Sequence, residues 1–70
     1  NHVSVTVGTA EHPMVAEHYI EWILLQTDMG IQKKWLKPGD IPKADFMMVA
    51  GEKVQAAYEY CNVHKLWKAG

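Results

Sequence analysis

Val54-Gln55-Ala56-Ala57-Tyr58-Glu59-Tyr60, running into Cys61, is the stretch on which the fold class turns. Two periods compete in it. Val54, Ala57, Tyr58 and Cys61 fit a helical stripe, whereas Val54, Ala56, Tyr58 and Tyr60 fit one face of a strand. Its neighbours favour the strand. Ala50-Gly51-Glu52-Lys53 ahead of it reads as a turn, and Ala44 to Val49 before that is apolar enough to be a central strand. Lys37-Pro38-Gly39-Asp40 is a strong turn signal, with Pro42 extending the break. Tyr19 to Gln26 and Ile31 to Leu36 read as a hairpin closed by Asp28-Met29-Gly30. Residues 9–18 form a loop in which Pro13 bars regular structure. Val3, Val5 and Val7 alternate with Ser4 and Thr6 as a half-buried strand ending at Gly8. The expectation is an all-β chain of about five strands.

Seventy residues make one domain, residues 1–70, without repeats, low-complexity tracts or internal boundaries. A domain of about 60 residues buries only about 60% of its unfolded surface. Stability at this size calls for help from a metal, a partner subunit or further chain. The apolar share of 49% supports a core and excludes a disordered chain. Eight acids stand against seven lysines, with no arginine and a net charge of −1. That balance lacks the clustered basic face of a nucleic-acid binder, so no nucleic acid is expected as partner. No apolar run approaches the ~20 residues of a membrane span, so no membrane is expected either. A single cysteine suits a reducing compartment, and the expected location is the cytoplasm.

That cysteine lies in Cys61-Asn62-Val63-His64-Lys65-Leu66-Trp67. It cannot form an internal disulfide, which leaves ligand, nucleophile or buried small apolar residue as its uses. Spacing favours ligand, because Cys-x-x-His lets two side chains of one short loop reach a single ion. Upstream, His12-Pro13-Met14-Val15-Ala16-Glu17-His18 carries a second pair on a proline-bearing loop. A Cys-x-x-His alone is unspecific. Joined to a separate His pair in so small a chain, it points to a redox metal held by one thiolate and three imidazoles.

The same residues sit inside a longer pattern. His12-Pro13-Met14, Glu17-His18-Tyr19-Ile20-Glu21-Trp22-Ile23, Leu36-Lys37-Pro38-Gly39-Asp40 and Tyr60-Cys61-Asn62-Val63-His64, closed by Leu66-Trp67-Lys68, occur in that order. Together they resemble the iron-binding domain of desulfoferrodoxin and neelaredoxin, the superoxide reductases, from about Val3 to Ala69. The resemblance implies an immunoglobulin-like β-sandwich with one mononuclear non-haem iron bound by four equatorial histidine nitrogens and one axial cysteine sulfur. By it, His12, His18 and His64 are equatorial ligands and Cys61 is the axial thiolate. It also implies reduction of superoxide to hydrogen peroxide, with electrons from a small donor such as rubredoxin, in an anaerobic or microaerophilic prokaryote.

Two departures accompany the resemblance. The family's first histidine lies in a Glu-Lys-His-Val-Pro stretch upstream of the His-Pro pair, which this chain does not contain. His2 is not that residue, because it falls in the strand leading into Gly8. Lys65 is the second departure, standing where the family usually has glycine. Five strands also fall short of the about seven of a free-standing sandwich. Both shortfalls lead to the expectation of a sandwich lacking its N-terminal strands, or of a homo-oligomer that covers the open edges. The family's lysine for attracting superoxide lies in the absent stretch, so Lys65, adjacent to the ligand block, is the candidate for steering that anion. The N–H groups of Val63 and His64 are candidates to bond the sulfur and tune the metal.

Two other readings stay open. A cupredoxin-like electron-transfer protein also uses Cys-x-x-His, but adds a weak axial Met where Leu66 and Trp67 follow here. A structural zinc site would close a tetrahedron from His12, His18, Cys61 and His64. Trp22, Trp35, Trp67, Phe46 and the tyrosines are expected in the core, with Trp67 also able to shield the metal. Met14, Met29, Met47 and Met48 read as packing or surface residues, and Lys33, Lys34 and Lys37 as a solvated face. Glu11, Glu17, Glu21 and Asp40 show no spacing for paired-carboxylate catalysis.

Overall fold

Alternating apolar residues and closely spaced turn signals make strands, and the computed structural model has no helix among its described residues, 1–8 and 12–69. Thr9 to Glu11 of the expected loop lie outside them. Six strands follow in order: β1 (His2–Thr6), β2 (Ile20–Thr27), β3 (Gly30–Trp35), β4 (Lys43–Met47), β5 (Val54–Cys61) and β6 (Lys65–Ala69). They form two antiparallel sheets, one of β1 with β4 and one in the order β3-β2-β5-β6. The competing periods of residues 54–61 thus resolve as strand.

The sheets face each other as an immunoglobulin-like sandwich. Val3 lies opposite Phe46 and Val5 opposite Ala44 across β1 and β4, and these side chains point inward. Val7 N–H donates to Pro42 O at 3.0 Å, extending the pairing to the core residue Val7. Ile20, Ile23 and Leu25 of β2 and Cys61 of β5 meet them from the other sheet, and Phe46 is fully buried among them.

The outer face of the larger sheet is also apolar. Trp35, Trp22, Tyr60 and Leu66 stand in one row across its four strands. Trp22 and Tyr60 stack at 5.7 Å, and Lys33 Nζ lies 4.3 Å from the Trp22 ring and 4.5 Å from that of Trp35. Two expectations are therefore corrected. Trp35 and Trp67 are not core residues, being 67% and 60% exposed. Trp22, Tyr58 and Tyr60 are half-buried on the outer face rather than in the core, which of the expected aromatics holds Phe46. Nor is the segment from Ala44 central: β4 pairs only with β1 among the described residues, and Lys43, Asp45 and Met47 alternate outward between buried Ala44 and Phe46. A central strand would be hydrogen-bonded to a neighbour along both of its edges.

β6 is the strand beyond the expected five. Its Leu66 and Trp67 are adjacent, which breaks the two-residue period, and it exists by pairing with β5. The Lys37–Asp40 turn has the expected chemistry. Asp40 N–H donates to Lys37 O at 3.0 Å around Pro38 and Gly39, and Gly39 takes φ of 93°. A type II turn needs a positive φ at that third position, which glycine reaches without strain.

Phe46 offers a test of this core. Phe46→Ala is expected to cost about 3–5 kcal/mol, comparable to the whole stability of a domain with about 0.05–0.15 kcal/mol per residue. Phe46→Leu should cost less and keep a measurable transition. Urea denaturation followed by circular dichroism measures both, and an alanine variant as stable as the parent would contradict the packing.

Candidate metal centre

The loop ahead of β2 is held at three points. Val15 N–H donates to His18 O at 3.1 Å and His18 N–H returns the bond to Val15 O at 2.9 Å, closing a tight turn. Gly39 N–H of the type II turn donates to Met14 O at 2.7 Å. Ile20 N–H donates to Met14 Sδ at 3.4 Å. His12 and His18 therefore leave an anchored segment. The other pair lies on the hairpin between β5 and β6, whose loop is Asn62-Val63-His64. Lys65 follows it with φ of 67°, the left-handed conformation that commonly closes a short hairpin loop. Glycine suits that position better, which gives the second departure its physical meaning.

Ile20 lies opposite Cys61 in the β2–β5 ladder, so the two loops emerge side by side. One donor atom from each of His12, His18, Cys61 and His64 lies within 4.8 Å of the others. Donors bonded at about 2.0–2.3 Å can stand at most about 4.6 Å apart around one ion, so small side-chain rotations complete the set. The His18 ring meets that of His12 at 4.9 Å and that of His64 at 4.7 Å, each nearly perpendicular. Nε2 of His12 and of His18 are buried without a hydrogen-bond partner. Buried polar atoms rarely go unpaired without a reason, and a metal is one. His12 Nδ1 lies 2.8 Å from Pro13 O, which can only accept. The proton therefore sits on Nδ1 and the Nε2 lone pair is free, as a ligand requires. The donor set fits a transition metal.

Cys61 is fully buried, His12 and His18 are half-buried, and His64 is exposed. Val63 N–H donates to Cys61 Sγ at 3.4 Å, one of the two expected bonds to sulfur. Trp67 Nε1–H donates to His64 O at 3.2 Å, tying the indole to the ligand loop while its ring stays largely in solvent. Burial holds His18 below its ordinary pKa of 6.5, and the neighbouring His64 and His12 add to that. His2 stands apart on β1, 3.7 Å from Asp45. Lys65 points its amine to Asn62 O at 3.0 Å, at the edge of the ligand loop.

The family described as desulfoferrodoxin matches residues 1–70. The chain belongs to the desulfoferrodoxin family. It is 52% identical over 69 residues to the desulfoferrodoxin of Nitratidesulfovibrio vulgaris, covering 99% of this chain and 53% of that protein. It is 49% identical over 70 residues to a desulfoferrodoxin homolog of Archaeoglobus fulgidus, covering 100% and 54%. The crystal structure of the superoxide reductase from Treponema pallidum superposes with a TM-score of 0.94 at 43% identity, over 99% of this chain and 56% of that one. The chain thus spans about half the length of these relatives.

Two residues near this desulfoferrodoxin-family site escaped the sequence reading. Glu59 lines an open groove of ≈ 340 Å³ together with His12, His64 and Trp67. Burial pushes its carboxyl above the usual range, while His12 and His64 pull the other way. The signal was available, since Glu59 is two residues before Cys61 and so shares its face of β5. Asn62 is the other, and its contacts lie too far along the chain for any local signal. No helix among the described residues is long and apolar enough to cross a membrane.

The His18 shift has a defined sign. The unfolded chain protonates this group near its ordinary 6.5, the folded one lower. Above about pH 6.5 the two states bind equal protons, and below it the unfolded state binds more, so stability is lost as the pH falls. Metal-free protein is expected to lose stability between about pH 7 and pH 5, and His18→Asn to lose less. Urea midpoints at the two pH values measure this. Equal losses in both proteins would remove His18 as a cause.

Proposed function

We propose that this domain reduces superoxide to hydrogen peroxide at one mononuclear iron, with electrons from a small protein donor such as rubredoxin. The observation that carries the reading is the convergence of a buried thiol and three imidazoles, two of them with orphaned Nε2 atoms. Membership of the desulfoferrodoxin family and the likeness to a superoxide reductase structure support it. The reaction consumes one electron and two protons per superoxide. Bound iron supplies the electron.

The chain's own residues do the remaining work. Cys61 binds as the thiolate, and its strong electron donation sets the reactivity of the metal. Val63 N–H draws charge from the sulfur and tunes that donation. The Pro13 carbonyl keeps His12 in the tautomer that binds. His64, exposed at the rim, marks the side from which a small anion arrives. Lys65 provides the nearby positive charge that raises the encounter rate.

A structural zinc site is the second reading, because the same four protein donors could close a tetrahedron after small side-chain rotations. Metal analysis of protein purified without added metal separates the readings. Iron supports the reductase, zinc the structural site, and copper an electron-transfer protein.

Two variants test the roles. Cys61→Ser is expected to abolish the sulfur-to-metal charge-transfer band of oxidised, iron-loaded protein and most superoxide reduction, read by visible absorbance and pulse radiolysis. An unchanged spectrum would remove Cys61 from the site. Lys65→Gly relieves a left-handed conformation costing roughly 1–2 kcal/mol and adds about 0.5–1 kcal/mol of chain entropy. The folded state should therefore change little in stability, leaving the rate to report on charge. The second-order rate with superoxide is expected to fall, with the deficit shrinking as salt rises. An unaltered rate and salt dependence would end the steering role.

A further inference from the structure

We propose that Asn62 is a positioning residue that fixes His18 against Cys61, an inference resting on the metal-site reading above. Three hydrogen bonds carry it. Asn62 N–H donates to Tyr19 O at 3.2 Å, Tyr19 N–H donates to Asn62 Oδ1 at 2.9 Å, and Asn62 Nδ2 donates to Glu17 O at 3.2 Å. The residues immediately before and after His18 are thus both tied to the residue immediately after Cys61.

The ladder explains why a side chain is needed there. Regular β2–β5 pairing is already irregular between Ile20 and Trp22, and it ends at the pair Ile20 and Cys61. His18 spends its own backbone groups on Val15. Beyond Ile20, the Asn62 N–H to Tyr19 O bond is the last backbone tie on the Cys61 side, and the Asn62 side chain adds two more to the ligand loop. The amide presents an acceptor and a donor from one short stem. Aspartate keeps the acceptor for Tyr19 N–H but sets a second oxygen against Glu17 O. Alanine keeps neither. Lys65 Nζ on Asn62 O steadies the same residue from the hairpin side. The ion thereby meets an imidazole and a sulfur already spaced by the protein. Partners that orient ligands in this way are typically worth about 10–100-fold in metal affinity.

Cobalt(II) titration, followed by its ligand-field and sulfur charge-transfer bands, tests the proposal on the whole chain. Asn62→Ala is expected to weaken cobalt binding about tenfold or more, and Asn62→Asp by less. In a His18→Ala background, Asn62→Ala should change affinity by less than about threefold, because the ligand it positions is gone. Asp28→Ala serves as the structural control. It removes a hairpin tie to Lys53 N–H of 2.8 Å away from the donors. Its stability should drop while cobalt affinity holds. Should Asn62→Ala not fold, Asn62→Asp with and without His18 decides the matter in the same way. Parental affinity in the Asn62 variants overturns the proposal. So does an equal loss with and without His18, since a general role in the fold would act through every donor. Failure of the parent chain to bind cobalt would instead overturn the metal-site reading itself.

Discussion

In the ladder between β2 and β5, Ile20 faces Cys61, and the other parts of the molecule are arranged around that pairing. A one-residue slip would exchange the faces of the strand, turning the thiol outward and the Trp22 row inward. The hydrophobic pattern forbids it, because Ile23, Leu25 and Cys61 share one packed interior with Phe46 and Ala44. The same register brings the end of the Met14–His18 loop beside the start of the β5–β6 hairpin. Packing of ordinary aliphatic residues therefore sets the spacing of the donors.

Burial of the thiol links the core to the chemistry. A thiolate kept from water is costly unless its charge is met. Val63 N–H meets part of it, and a cation bound with His12, His18 and His64 would meet the rest. Metal binding would then add to folding stability. The demand is strong here, because a domain this small has little core to spare.

Much of the candidate site was legible before the fold was. Cys61-x-x-His64 and His12-x5-His18 name the donors by spacing, and the structure brings all four together. Most strand boundaries were legible from turn chemistry, as at Pro38-Gly39. What escaped depends on partners rather than on local pattern. β6 owes its existence to β5, and adjacent Leu66 and Trp67 give no alternation to detect. Trp35 and Trp67 carry the largest apolar side chains, yet parity places Trp35 on the outer face with Trp22. The half-buried character of β4 was present in the alternation of Lys43 and Asp45 with Ala44 and Phe46, and overall apolarity obscured it. Asn62 contacts residues 43 to 45 positions earlier, a distance at which sequence pattern is silent.

The split of the donors into two local pairs separated by more than 40 residues has a consequence for assembly. Closing that separation requires the β2–β5 ladder, a non-local pairing that forms slowly compared with turns. An unfolded chain nevertheless carries a cysteine and a histidine three residues apart, and these alone can capture an ion. Metal present from the start thus also binds the unfolded state, reducing the stabilisation that native affinity alone would give. A chain that folds first and meets its ion afterwards avoids this competition, because only the completed ladder offers all four donors at once.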